Sequence, residues 1–279
     1  MTAAPTLGRL LSSWSLDPVV VLALGAAAVL YALGMRRARS SPWRAVSFFA
    51  GLAALALALL SGVDFYAEAL LSVHMVQHLL LSLVAPALLL AGAPVRLALR
   101  AGGPQLRPAL GAVLGSGVVR TLSRPATGLG LFTATMLATH LTGLFELALR
   151  DPLVHALEHG ALFWSGLLFL APLIAADPLP HPPSPLARFC WLMGGMTAMA
   201  VPGAVLTFAR TVRYPHYLHT AHLLGRSALT DQQLGGAIMW VGGTLAMFAL
   251  ALYVTFDAML AEERRARRRE SYRTGVARA

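Results

Sequence analysis

The feature that most limits what this chain can fold into is its run length. Apolar stretches of roughly 17–25 residues recur between short polar breaks, the length that crosses a bilayer as a helix. Charged residues make up 12% of the chain and hydrophobic ones 57%, with a mean hydropathy of +0.67. A soluble domain is about 25% charged. The pattern predicts an all-α polytopic membrane bundle in one domain. Seven transmembrane helices are expected, over about 18–35, 44–61, 67–91, 126–148, 152–175, 187–209 and 231–258.

The 22 basic residues are all Arg, and the net charge is +10. No soluble basic domain or interleaved aromatic surface accompanies them, which excludes a nucleic-acid partner. The single cysteine, Cys190, rules out an intramolecular disulfide and a CxxC thiol site, and it reads as a buried residue. The first apolar run is followed, not preceded, by Arg36, Arg37 and Arg39, so it is expected to be a retained helix rather than a cleaved signal. The loop 92–125, with Arg96, Arg100, Arg107, Arg120 and Arg124, reads as an interfacial helix whose arginines reach toward headgroups.

The arginines also predict orientation. With the N-terminus out and the C-terminus in, seventeen Arg fall on the inner side and five on the outer side. The basic tail from about 259 is then cytoplasmic, and bilayer orientation alone accounts for it.

In that frame the histidines fall in one slab. Starting the third span near Ala67 puts His74 roughly 10 Å and His78 roughly 16 Å below its outer end. His155 and His159 lie roughly 5 and 10 Å deep in the fifth span, and His140 roughly 10–15 Å deep in the fourth. His74/His78 and His155/His159 are i,i+4 pairs, which share a helix face and can grip one ion from adjacent turns. Met136 stands four residues before His140. Polar groups in hydrocarbon are costly and mark function. The competing readings are a structural hydrogen-bond network or proton relay and a haem site. Haem fits poorly, because its axial ligands approach from opposite faces. Imidazoles beside a thioether favour copper, with zinc as the alternative.

Other features surround this slab. Asp64 and Glu68 at the outer mouth, and His216, His219 and His222 in YPHYLHTAHLLG, form a possible cation access route; solvated or headgroup-level histidines are the plain alternative. Met193, Met196 and Met199 read as packing residues. Pro86 frees a carbonyl that Ser82 is placed to re-satisfy, and Pro202 is expected to bend its span similarly. HALEH, from His155 through Glu158 to His159, matches the inverted zinc-hydrolase pattern, with Glu158 as base. A copper permease would need polar groups through the inner half, and these are nearly absent.

Several motifs, in order, resemble the CtaG-type cytochrome c oxidase assembly factors of bacterial plasma membranes. They are HMVQHLLL with APALLLAGAP (74–94), THLTGLFELAL (139–149), VHALEHGALF (154–163), ADPLP (176–180) and DQQLGGAIMW (231–240). The chain departs from that pattern at Ala87 and Thr142, where prolines are common. The resemblance implies a non-catalytic role in maturing a haem–copper oxidase, by supplying copper to its catalytic subunit, with an extracytoplasmic copper donor upstream. It points to His74, His78, His140, His155 and His159 as the metal-handling set. For DQQLGG the readings are a partner contact or site cap, or a helix cap at Asp231 with glycines for close packing.

Overall fold

The computed structural model describes residues 6, 8, 13–179 and 183–276, without the side chains of 222, 223, 261, 265, 268, 269 and 271–276. Arg9, Pro180, Arg278 and the side chain of His222 therefore lie outside the described residues. The chain folds as α1 (Pro18–Arg37), α2 (Pro42–Leu60), α3 (Gly62–Ala67), α4 (Leu71–Leu79), a π-helical turn (Leu80–Val84) and α5 (Ala85–Ala91). There follow α6 (Pro94–Ala101), α7 (Leu106–Gly115), α8 (Gly117–Leu122), α9 (Pro125–Leu141), α10 (Leu144–Ala148) and α11 (Pro152–Ile174). α12 (Pro185–Thr207), α13 (His216–Leu223), α14 (Ala228–Ala237), a second π turn (Ile238–Gly242) and α15 (Gly243–Val276) complete it. Proline opens α1, α2, α6, α9, α11 and α12, where its missing N–H would have had no intrahelical partner.

Among the described residues, six helices are long and apolar enough to cross a membrane: Pro18–Arg37, Pro42–Leu60, Leu71–Ala101, Pro152–Ile174, Pro185–Thr207 and Ala228–Arg264. The expected span 126–148 is instead broken into α9, of 17 residues, and α10. Thr142 makes the break. Its hydroxyl donates to the Ala138 carbonyl at 2.6 Å and accepts from the Leu144 N–H at 3.1 Å, so one side chain closes α9 and opens α10. The third span begins at Leu71 rather than Ala67, because α3 is a separate capped turn. His74 thus lies only about 5 Å, and His78 about 10 Å, below the start of its helix. The loop 92–125 holds three short helices, not one.

We call the end at which α1 starts the upper end; there the Ser15 N–H reaches the Leu60 carbonyl at 2.8 Å. At the lower end the Tyr31 hydroxyl donates to the Gly92 carbonyl at 2.9 Å. Also there, the Asp177 carboxylate accepts from the backbone N–H groups of Val95, at 3.4 Å, and Arg96, at 2.7 Å. Between the ends the core is apolar, with Leu83, Phe132, Phe169, Leu170, Leu173, Leu192, Met199 and Met247 buried together and Met193 and Met196 packed against them. Cys190, on α12, is exposed rather than buried.

Pro86 acts differently from the expectation. The Ser82 hydroxyl donates to the His78 carbonyl at 2.6 Å, not to its own, and the backbone widens into the π turn just before the proline. The Ser82 carbonyl faces α11 at Gly166, where any Cβ would overlap it. The DQQLGG segment is likewise reassigned. Ser227, not Asp231, caps α14. Buried Asp231 accepts from the Ser72 N–H at 3.2 Å and the Ser72 hydroxyl at 2.5 Å, which caps α4 from across the bundle. Gln232 holds the backbone at Thr211 and Arg213, and Gln233 holds Ala209. Gly236 lets α14 lie against α12 at Gly203 and Thr207, as glycine packing predicts.

Candidate metal centre

The five histidines do meet. α4 carries His74 and His78, α9 carries His140, and α11 carries His155, Glu158 and His159. Ring centroids lie 4.4 Å apart for His74/His78, 4.1 Å for His155/His159, 5.4 Å for His74/His155 and 6.0 Å for His78/His159. His74, His78, His140 and Glu158 are buried, while His155 and His159 are half-buried. Phe145 of α10, fully buried, lies 4.8 Å from His74, 5.9 Å from His78 and 6.0 Å from His140, ring to ring. The break between α9 and α10 is what delivers it there.

Hydrogen bonds set which ring nitrogens remain free. The Tyr217 hydroxyl lies 3.0 Å from both the Ala67 carbonyl and His74 Nδ1. A carbonyl only accepts, so the hydroxyl proton goes to Ala67 and the His74 Nδ1–H donates to the Tyr217 oxygen. His140 Nδ1 lies 2.9 Å from the Met136 carbonyl, so it too carries its proton there. His140 Nε2, 3.1 Å from His78 Nδ1, must then accept from His78. Both partnerships leave the Nε2 lone pairs of His74 and His78 turned away from these partners. The Tyr214 hydroxyl, donating to the His140 carbonyl at 2.7 Å, holds the end of α9 in place.

Nε2 of His74, His78, His155 and His159 and both carboxylate oxygens of Glu158 are buried without a hydrogen-bond partner among the described residues. His78 Nε2 and Glu158 Oε1 are 3.8 Å apart. Two ligand sets have their donor atoms within 4.8 Å of one another: His74 with His155 and His159, and His74 with His78 and Glu158. His74 belongs to both. His140 stands differently from the other four, since both its nitrogens are engaged within the protein. Met136 lies in the apolar core and supplies the site with its carbonyl.

Among the described residues, the outlying ones form no second ligand cluster. Asp64 accepts from Gln77 Nε2 at 2.8 Å. His216 Nε2 lies 3.0 Å from the Glu68 carbonyl, and His219 is exposed. Tyr217 and Phe145 were not singled out from the sequence. Tyr217 sits between His216 and His219, but nothing in the spacing marks an aromatic as the partner of a histidine 143 residues earlier.

Fold and site together define an all-helical, membrane-type bundle with a buried imidazole and carboxylate cluster near its upper end. Residues 29–260 match the cytochrome c oxidase caa3 assembly factor family, and the chain belongs to it. Uncharacterized proteins of Mycobacterium bovis and Mycobacterium tuberculosis are each 35% identical to it over 256 residues, and one of Mycobacterium leprae is 31% identical over 254. These alignments cover 85% of this chain but 38% of each relative, so the chain spans well under half the length of the curated relatives it matches. No solved structure matches it.

Proposed function

We propose that this protein holds copper in transit and supplies it to the catalytic subunit of a haem–copper oxidase in a bacterial plasma membrane. In this reading the chain crosses the bilayer seven times, with α9 and α10 as the fourth span, the N-terminus out and the C-terminus in. The carrying observation is that Nε2 of His74, His78, His155 and His159 and both Glu158 carboxylate oxygens lie buried with no partner among the described residues, in two clusters that share His74. Each orphaned buried polar atom costs about 1–3 kcal/mol. A bound cation would relieve several at once.

His74, His78, His155 and His159 are the ligands, with Glu158 the one anionic donor. His140 and Tyr217 are positioning residues. Each accepts the Nδ1–H of a ligand histidine and so presents its Nε2 to the cargo, the usual second layer of a histidine metal site. Imidazole suits copper and zinc alike. The preference for copper rests on the family's role in oxidase assembly, not on Met136. An assembly factor must also let its cargo go, and ligand sets sharing His74 offer the ion more than one coordination.

The test is metal analysis and optical spectroscopy on the purified full-length chain, with oxidase copper measured in a strain lacking it. Bound copper and a copper-poor oxidase are expected. Zinc in place of copper would revive the hydrolase reading of HALEH, and normal oxidase copper in the deletion strain would end the delivery role.

A further inference from the structure

Among the described residues, two cavities reach the histidine cluster, and they share Pro152 and His155. One, of about 270 Å³, opens at the upper surface among Glu68, Arg150, Asp151, His155, His216 and Thr220. Its rim is charged and suits a hydrated cation. The other, of about 680 Å³, is a groove between α1 and α11. Leu24, Leu59, Asp64, His155, His159 and Phe163 line it, so both half-buried histidines of α11 face it. Its flanks are exposed and apolar: Val19 is 75% exposed, Leu22 72%, Leu153 68% and Leu157 64%. Side chains of that kind face lipid in a membrane-type bundle. Below the cluster, Leu83, Phe132, Phe169 and Leu170 close the way down.

We infer that the metal site has two doors meeting at His155: a water-facing one through which copper enters, and a lipid-facing one through which a membrane-embedded acceptor withdraws it. This rests on the metal-holding reading above. The half-buried pair His155/His159 is the exchange layer, and His74, His78 and Glu158 are the buried layer behind it. A protein acceptor in the same bilayer then needs no passage of free ion through water.

Each door can be blocked by itself. A Cβ on residue 160 meets no atom within 4 Å, and Gly160 lines the groove, so Gly160→Trp fills the lipid-facing door without touching a ligand. Thr220→Trp fills the water-facing one. Ala156→Trp and Arg150→Trp are the second pair, read in place of a variant that does not fold. The full-length chain in lipid nanodiscs is loaded with Cu(I), and its copper content is measured at equilibrium. Copper is then withdrawn either by the water-soluble chelator bathocuproine disulfonate or by the lipid-partitioning chelator neocuproine.

All variants should hold the parent's copper. Gly160→Trp should slow withdrawal by neocuproine about tenfold or more, the effect of about 1.4 kcal/mol of added barrier, and leave bathocuproine disulfonate unaffected. Thr220→Trp should do the reverse. If one variant slows both chelators equally, or neither variant slows either, the two doors are refuted while the metal site stands. If the parent binds no copper, both readings fall.

Discussion

Near the upper end, α4 and α11 turn His74, His78, His155, His159 and Glu158 into a space where side-chain nitrogens and oxygens go unpartnered among the described residues. Further down the bundle, the same helices and α12 meet through Phe132, Phe169, Leu170, Leu173 and Leu192, and backbone nearly touches backbone at Gly166. The lower region is optimised for packing. The upper region keeps polar atoms that a merely stable bundle would have replaced, the kind of departure that marks a functional site. The contrast also separates carrying from transport. A permease needs polar stepping stones through the whole thickness, whereas here the polar region ends in an apolar core, so in the proposed reading the ion leaves from the half it entered.

The contrast breaks first if the lower contacts are not tight. Gly166→Val should lower bundle stability by about 3 kcal/mol or more, because its Cβ overlaps the Ser82 carbonyl and neither helix can retreat cheaply. Thermal unfolding in detergent reads this, with Gly160→Val as the control that should change little. A parent-like midpoint for Gly166→Val would mean the helices are not locked there. At the upper end the opposite holds. His74→Leu removes the residue common to both ligand sets and should weaken copper binding more than about 100-fold, beyond the usual loss of a supporting residue. The same change should leave the metal-free bundle as stable as the parent or more so, since an apolar group replaces an unsatisfied one. A His74→Leu variant that binds copper normally would dissolve the distinction between the regions.

How much of this was legible beforehand follows the same division. Apolar run length and i,i+4 spacing placed five histidines at one depth, because hydropathy and helix period are local properties of the chain. Rotation about each helix axis is not local. Spacing therefore put His140 among the ligands without showing that it faces His78 and the Met136 carbonyl. Tyr217 and Phe145 were invisible for the same reason, as tertiary neighbours delivered by α13 and by the Thr142 break. Asp231 read as a cap of its own helix, and only the cross-bundle bond to Ser72 shows that it caps α4 instead. The π turn before Pro86 lies outside what a count of freed carbonyls anticipates.

Tyr217 allows a finer test of the upper region. Tyr217→Phe keeps the ring and removes the oxygen that accepts from His74 Nδ1. His74 is then free to take its other tautomer, which points a proton at the site. Copper affinity should fall by about 10–100-fold, and the metal-free bundle should lose about 1–3 kcal/mol, because the Ala67 carbonyl and His74 Nδ1 lose the hydroxyl that pairs them. Competition against a chelator of known affinity measures it. An unchanged affinity would show that ring packing against Phe145, not tautomer choice, positions His74.

The smallest expected effect lies at the lower end, at Asp177. Its carboxylate accepts from Val95 and Arg96 N–H groups at the start of α6 and so stands in for a missing N-cap. Burial pushes its pKa up from the ordinary aspartate value, while the hydrogen bonds from the Arg96 and Val95 N–H groups pull it partly back. An acid raised in the folded state gains nothing from its charge, and any stability linked to the shift is lost as pH rises through the acid range. The useful part of Asp177 is therefore its acceptor oxygens. Asp177→Ala should cost about 1 kcal/mol, the typical loss for a helix cap. Asp177→Asn retains an acceptor and should cost less, and neither should alter bound copper. Equal losses for the two variants would mean that charge, not hydrogen-bond acceptance, ties α6 to the end of α11. A fall in copper content would show that the packed lower end and the open upper site are energetically coupled rather than independent.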